Sequence, residues 1–386
     1  MITGLQMVAS LQLPRTVFGA GALSCLDEEL DCLGMRRPML VTDHGITTVG
    51  LVDRVNAALK RGPAAAILND VTENPLFSDA DRGAALYRAS HCDGVIALGG
   101  GSVIDTAKYI ALLATNPGSV STYAGNPTAR PRRCAPLAVL PTTAGTGSEA
   151  SPDAGIHPDA ATASTGMSSL AIVPHLAMLD PELSLTLPPR LTAATGIDAI
   201  SHCVEGYLSS RMLPFADALA LDGIRRAMAA IRDATERGGD LRARSEMMAA
   251  AYAGGVAISM GLGPAHAIAI TCGDQGFHHG LLSGIGLVCS LDSVSRHASD
   301  RAAAIAAAMG LPPGASLSAA IAVLMRTLNL PATLAELGYR GGDVSALGSR
   351  AHASPFNQTA RYHPSAAEYT EMIQRSLDGM IGATAA

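Results

Sequence analysis

The chain has 386 residues, more than a single hydrophobic core usually organises, so two domains with a cleft between them are expected. Hydrophobic residues make up 48% and charged residues 16%, leaving a surface short of charge on which part of the apolar area is expected to be covered by a second copy, in a homodimer or higher homo-oligomer. A formal net charge of −6 argues against a nucleic-acid partner, which would require a basic stripe, and the only lysines are Lys60 and Lys108.

In chain order, the opening MITGLQMVASLQLPRTVFGAGAL has no basic start before an apolar run, so no secretory leader is expected there. Short apolar runs then alternate with helical stretches: PMLVTD (38–43), AAAILND (64–70), DGVIALGGG (93–101) and PLAVLPTTAG (136–145). Each ends in Gly, Asp or Thr, as buried parallel strands do where they enter loops. Leu179 to Leu183 reads as one more strand and turn, and Pro188-Pro189 marks the boundary. Beyond it the chain becomes alanine-rich with helical periodicity, as in 216–234 and 301–310. The expected fold is an α/β nucleotide-binding domain over 1–187 and an all-α domain over 188–386. The stretch 247–273 lacks Asp, Glu, Lys and Arg, but glycines, Pro264 and His266 interrupt it, so a buried helix pair is expected rather than a membrane span. Seven scattered cysteines without Cys-x-x-Cys spacing read as reduced thiols, which points to the cytoplasm.

Three loops carry candidate chemistry. GGGSVIDTAK (99–108) follows an apolar run and opens a helical stretch, and a strand, glycine turn and helix N-terminus present free N–H groups to a pyrophosphate. Glycine there admits the phosphate to the backbone and permits positive φ; a plain tight turn would look the same. PTTAGTGSE (141–149) offers hydroxyls and bare backbone to a nicotinamide and ribose, or solvates itself. Asp43, at a strand end, is placed to accept from both hydroxyls of an adenosine ribose and to repel a 2′-phosphate, favouring NAD(H) over NADP(H). Asp198 and His202 stand four residues apart on a helix and so share a face; with His266 and His279, each beside small residues, they make a donor set suited to Fe(II) or Zn(II) rather than Mg(II) or Ca(II). Singly, each is as readily an ordinary core or surface residue.

Together, GGGSVIDTAK, PTTAGTGSE, DPEL, TGIDAISHCVEGYLS and HA followed by HHG resemble the iron-containing alcohol dehydrogenase family, in its order and over nearly the whole chain. The resemblance implies a nucleotide-binding α/β domain and a helical domain, related to dehydroquinate synthase, with the active site in the interdomain cleft. It implies metal ligands at Asp198, His202, His266 and His279, the last preferred to His278 because it precedes Gly280. Cofactor contacts fall on Asp43, Asn74, Gly100, Gly101, Ser102, Thr142, Thr143 and Thr146, while Asp105 and Lys108 hold the first loop in shape. Two departures stand out: Ile270 occupies a position where many members carry a histidine, and 161–170 lacks a lysine that many members have.

The reaction implied is an NAD(H)- and metal-dependent interconversion of a small alcohol and its aldehyde. With Ile270 in place, the proton is expected to leave through water and the ribose hydroxyls, or through His278, and His279 would serve in catalysis as ligand. The pocket is expected to be lined from Ser151, Ile270, Phe277 and residues 356–361, where Arg361 reads as a surface residue rather than a holder of acidic substrates. The alternatives are a reductase of the maleylacetate type, a lyase of the dehydroquinate synthase type, which two lysines disfavour, and a non-catalytic nucleotide-binding protein.

Overall fold

The structure, a computed structural model, describes residues 10–381 except Ala161 and Ala163; the reading of residues 1–9 as no leader, and those two positions of the lysine-free segment, lie outside it. Contacts divide the chain into two units, one of residues 12–143 with 147–187 and the other of residues 144–146 with 188 onward.

The first unit is built on a parallel sheet. Its strands are β1 (Arg15–Phe18), β2 (Pro38–Val41), β3 (Ala66–Leu68), β4 (Gly94–Gly99), β5 (Leu137–Pro141) and β8 (Leu176–Leu179), in the order β1-β8-β5-β4-β2-β3. Every residue of β2, β4, β5 and β8 is buried, which is why each reads as an unbroken apolar run. The 179–183 segment proves to be the end of β8 followed by a 3-10 turn, Pro181–Ser184, with the Asp180 carboxylate accepting from Glu182 N.

The sequence reading missed three strands. β1 is an edge strand with three exposed residues of four, and β6 (Asp153–Ile156) and β7 (Thr165–Ser168) form a separate antiparallel hairpin rich in Gly, Thr and Ser. None carries an apolar pattern to read.

The second unit is helical. Three long helices, Pro189–Tyr207, Pro214–Glu236 and Leu241–Ile258, pack on one another, with Pro at the first position of the first two. Small residues let them approach closely: a Cβ on Gly206 would lie 2.6 Å from the Ala257 carbonyl oxygen, and one on Gly254 3.1 Å from His202 Cβ. The charge-free stretch becomes the end of Leu241–Ile258 and a short helix, Pro264–Thr271, both largely buried; no helix among the described residues is long and apolar enough to cross a membrane. All seven cysteines are unpaired, with Cys134, Cys203, Cys272 and Cys289 buried.

Candidate metal centre and nucleotide loops

Three helices of the second unit meet at one point. Asp198 and His202 project from the middle of Pro189–Tyr207, His266 stands at the third position of Pro264–Thr271, and His279 opens the helix His279–His297. One ligand atom from each of the four lies within 4.8 Å of all the others. Asp198, His202 and His266 are buried, while the His279 side chain is 44% exposed, so the cluster opens to solvent on that side. Gly280 makes the approach possible, since a Cβ there would sit 2.3 Å from the Ala194 carbonyl oxygen and 3.1 Å from Asp198 Cβ.

The second nitrogen of two rings is already committed. His202 Nδ1 lies 3.3 Å from the Gly145 carbonyl, and His266 Nδ1 lies 2.6 Å from Glu205 Oε2, so both rings donate from Nδ1 and turn Nε2 inward. His202 Nε2 and His279 Nε2 are 3.8 and 3.9 Å from Asp198 Oδ1. Asp198 Oδ1 and His266 Nε2 are buried without a hydrogen-bond partner, a costly state unless something else occupies the space between them. Burial pushes the His202 imidazole below its ordinary value, keeping its lone pair free near neutrality. Burial alone would raise the Asp198 carboxyl, but His202, His279, His266 and His278 overcome it and hold it at about 2. One carboxylate and three imidazoles in this arrangement fit a divalent transition metal.

The descriptions "Iron-containing alcohol dehydrogenase" and "Fe-containing alcohol dehydrogenase family, C-terminal" match residues 14–181 and 192–377 respectively. The chain belongs to the iron-containing alcohol dehydrogenase family. It is therefore an oxidoreductase of the alcohol dehydrogenase type. Among its relatives, 4-hydroxybutyrate dehydrogenase of Cupriavidus necator is 38% identical over 92% of this chain and 96% of its own length. The NAD-dependent methanol dehydrogenase of Bacillus methanolicus is 30% identical over 94% and 98%. Among solved structures, a 1,3-propanediol oxidoreductase superposes with a TM-score of 0.91 at 29% identity, covering 96% of this chain and 100% of its own.

The nucleotide candidates lie where the sheet topology gathers them. Asp43 follows β2, Gly100 to Ser102 follow β4, and Thr142 and Thr143 follow β5, three strands that are neighbours, so their loops leave the same carboxyl edge of the sheet. Gly100 caps the helix Gly101–Thr115. Its φ is −83°, so the expected need for positive φ is not met in this turn. Glycine serves close approach instead, because a Cβ on Gly99 would lie 2.6 Å from Val103 Cγ2 and one on Gly100 3.2 Å from Thr143 Cγ2. Positive φ belongs to the other loop, at Gly147. Ser102 donates its hydroxyl to the Glu73 carbonyl, tying the glycine loop to the exposed Asn74 segment. Asp43 Oδ1 accepts from Ile46 N at 2.8 Å, and Thr146 is half-buried.

Lys108 is fully buried, with Nζ donating to Ser151 O, Ser151 Oγ and Asp153 O at 3.0, 3.3 and 2.5 Å. Asp105 Oδ2 accepts from Gly155 N at 2.8 Å. Both residues thus bind the β6–β7 hairpin to the helix behind the glycine loop. Ser151, expected to line the substrate pocket, is instead 2% exposed and engaged with Lys108. Arg361 is exposed and donates from Nε to the Ser209 carbonyl.

His278 is the N-cap of its helix, its Nδ1 accepting from Gly280 N at 3.1 Å. Glu205 and Glu149 were not singled out in the sequence, where a glutamate on a helix or in a polar loop reads as solvated. The available signal for Glu205 was its spacing, seven residues after Asp198 and three after His202 on one helix.

Proposed function

We propose that the chain interconverts a small primary alcohol and its aldehyde with NAD(H), using a divalent metal, Fe(II) or Zn(II), held by Asp198, His202, His266 and His279. The observation that carries this reading is the convergence of those four side chains, two of them with buried atoms otherwise unsatisfied. Forming an alkoxide near neutral pH requires the alcohol's pKa to fall by roughly 8 units, about 11 kcal/mol, whereas one side-chain base supplies roughly 3–6 kcal/mol. When bound, the ion supplies the difference by acidifying the alcohol and, in reverse, polarising the carbonyl.

The chain's own residues do the rest. Asp198 offsets part of the cation's charge, and Gly145 and Glu205 hold His202 and His266 with their lone pairs inward. The backbone N–H groups at the start of Gly101–Thr115 take the pyrophosphate, with Thr142, Thr143 and Thr146 toward the nicotinamide ribose, and Asp43 with Asn74 toward the adenosine end. A carboxylate at Asp43 supports NAD(H) over NADP(H).

His278 is a poor proton carrier in its observed state. With Nδ1 accepting from Gly280 N, the neutral ring bears its proton on Nε2 and has no free lone pair. The proton accordingly leaves through water and the ribose hydroxyls. His278→Gln, whose amide oxygen can still cap the helix, should leave the pH–rate profile unaltered; a lost limb would return the role to His278.

The 38% identity to a 4-hydroxybutyrate dehydrogenase supports short ω-hydroxy acids as the first substrates to try. The deciding experiment follows NADH absorbance with metal-stripped enzyme, then with Fe(II) or Zn(II) restored anaerobically, against short neutral and acidic aldehydes. Oxidation of NADH only after metal is restored is the expected result. Metal-independent turnover, or NADH binding without reduction of any carbonyl, would overturn it. A homo-oligomer is also proposed, supported by the low charge content and by Phe18, 52% exposed on edge strand β1; light scattering tests it. Unpaired thiols support a reducing compartment.

A further inference from the structure

Glu205 is 5% exposed, yet three N–H groups converge on its carboxylate. Ala265 N donates to Oε1 at 2.7 Å, and His266 N and His266 Nδ1 reach Oε2 at 3.1 and 2.6 Å. The first two are the second and third residues of Pro264–Thr271, whose N-cap, Gly263, has no side chain to offer them. Pro264 has no N–H to compete. A Cβ on Gly263 would lie 3.0 Å from Glu205 Oε1, so glycine there also makes room for the carboxylate. A residue from one helix thus caps another, and the same oxygen that accepts from the His266 backbone also grips the ring.

We propose that Glu205 is a positioning residue for metal binding: by accepting from His266 Nδ1 it fixes the tautomer and ring plane that aim the Nε2 lone pair at the space shared with Asp198, His202 and His279. This rests on the four-ligand reading above. The geometry carries it in two steps. An imidazole has one free lone pair when neutral, and the hydrogen bond at one nitrogen decides which nitrogen keeps it. His266 Nε2 is the buried atom without a partner, so the proton that Glu205 holds at Nδ1 is what keeps Nε2 bare. Without that acceptor the ring is free to carry its proton on Nε2 and to rotate, and the cation would have to displace that proton before binding.

A helix cap alone would predict a loss of stability and nothing more, so the test reads the ring directly. The full-length chain is labelled with 15N-histidine, stripped of metal, and the His266 signals are assigned by difference from His266→Gln. In the wild type His266 should be protonated at Nδ1 and bare at Nε2; protonation at Nε2 there would overturn the proposal whatever any variant does. In Glu205→Ala the Nε2-protonated form should grow. Zn(II) affinity, measured by competition with a chromophoric chelator, should fall about 10–100-fold. Glu205→Gln keeps one accepting oxygen and should fall less. If Glu205→Ala folds and binds Zn(II) as tightly as wild type with an unchanged His266 tautomer, Glu205 is a cap only. If the wild type itself binds no Zn(II), or binds it equally after Asp198→Ala, it is the four-ligand reading that fails, and the two failures are told apart.

Discussion

At the scale of single residues, two side chains allow sharp tests. Glu149, in the PTTAGTGSE loop, is 2% exposed with Oε1 unpartnered, and burial pushes its carboxyl from 4.5 up to about 7. The folded state therefore holds this proton more tightly than the unfolded chain. Its contribution to stability is complete below about pH 4.5 and is lost as pH rises to about 7, a fall of about 3 kcal/mol. Asp105, raised by burial to about 6, acts in the same direction. Glu149→Gln should flatten the decline in melting temperature across that window; an undiminished slope would mean that Glu149 is not its source. Ile270 is the second residue. It stands one helical turn after His266 and is 43% exposed, so a histidine would be accommodated there without repacking. Ile270→His should add a limb near pH 6.5 to the pH dependence of kcat/KM, whereas an unchanged profile would show that the position does not reach the transferred proton.

Among the elements, the His279–His297 helix depends on close approach. Gly280→Ala places a methyl 2.3 Å from the Ala194 carbonyl oxygen, which belongs to backbone that a side-chain rotation cannot move. The helix must shift, taking His279 with it, at a cost of about 1–3 kcal/mol. Metal affinity should fall together with thermal stability; a variant that lost stability while binding metal normally would show that the cluster tolerates the shift. Elements also explain what could be read from the sequence. β2, β4 and β5 were legible because both their faces are buried, and the long helices because their alanine-rich periodicity had no competing pattern. β1, β6 and β7 were not, since Arg15, Asp153 and Thr165 begin short strands that are exposed or polar and held by pairing rather than burial. The site was legible as residue types, with Asp198 and His202 four apart on one helix. Two of its supports were not, because Glu205 and Gly145 matter through contacts between segments distant in sequence.

For the whole molecule, metal is a ligand of the folded state alone. At a free concentration 100 times its Kd it should stabilise by about 2.7 kcal/mol, raising the melting temperature of a 386-residue chain by roughly 3 °C over the stripped protein. Calorimetry with and without a chelator tests this, and coincident transitions would argue against a site in the folded state. The burial of Lys108 has a different consequence, in chemical self-protection. The aldehyde of the proposed reaction is a reagent that condenses with free amines. Of the chain's two lysines, Lys108 is sealed, with all three ammonium protons donated, and only Lys60 is exposed. Few lysines at the surface leave few places for the product to form a Schiff base, so borohydride trapping after prolonged turnover should label Lys60 and spare Lys108.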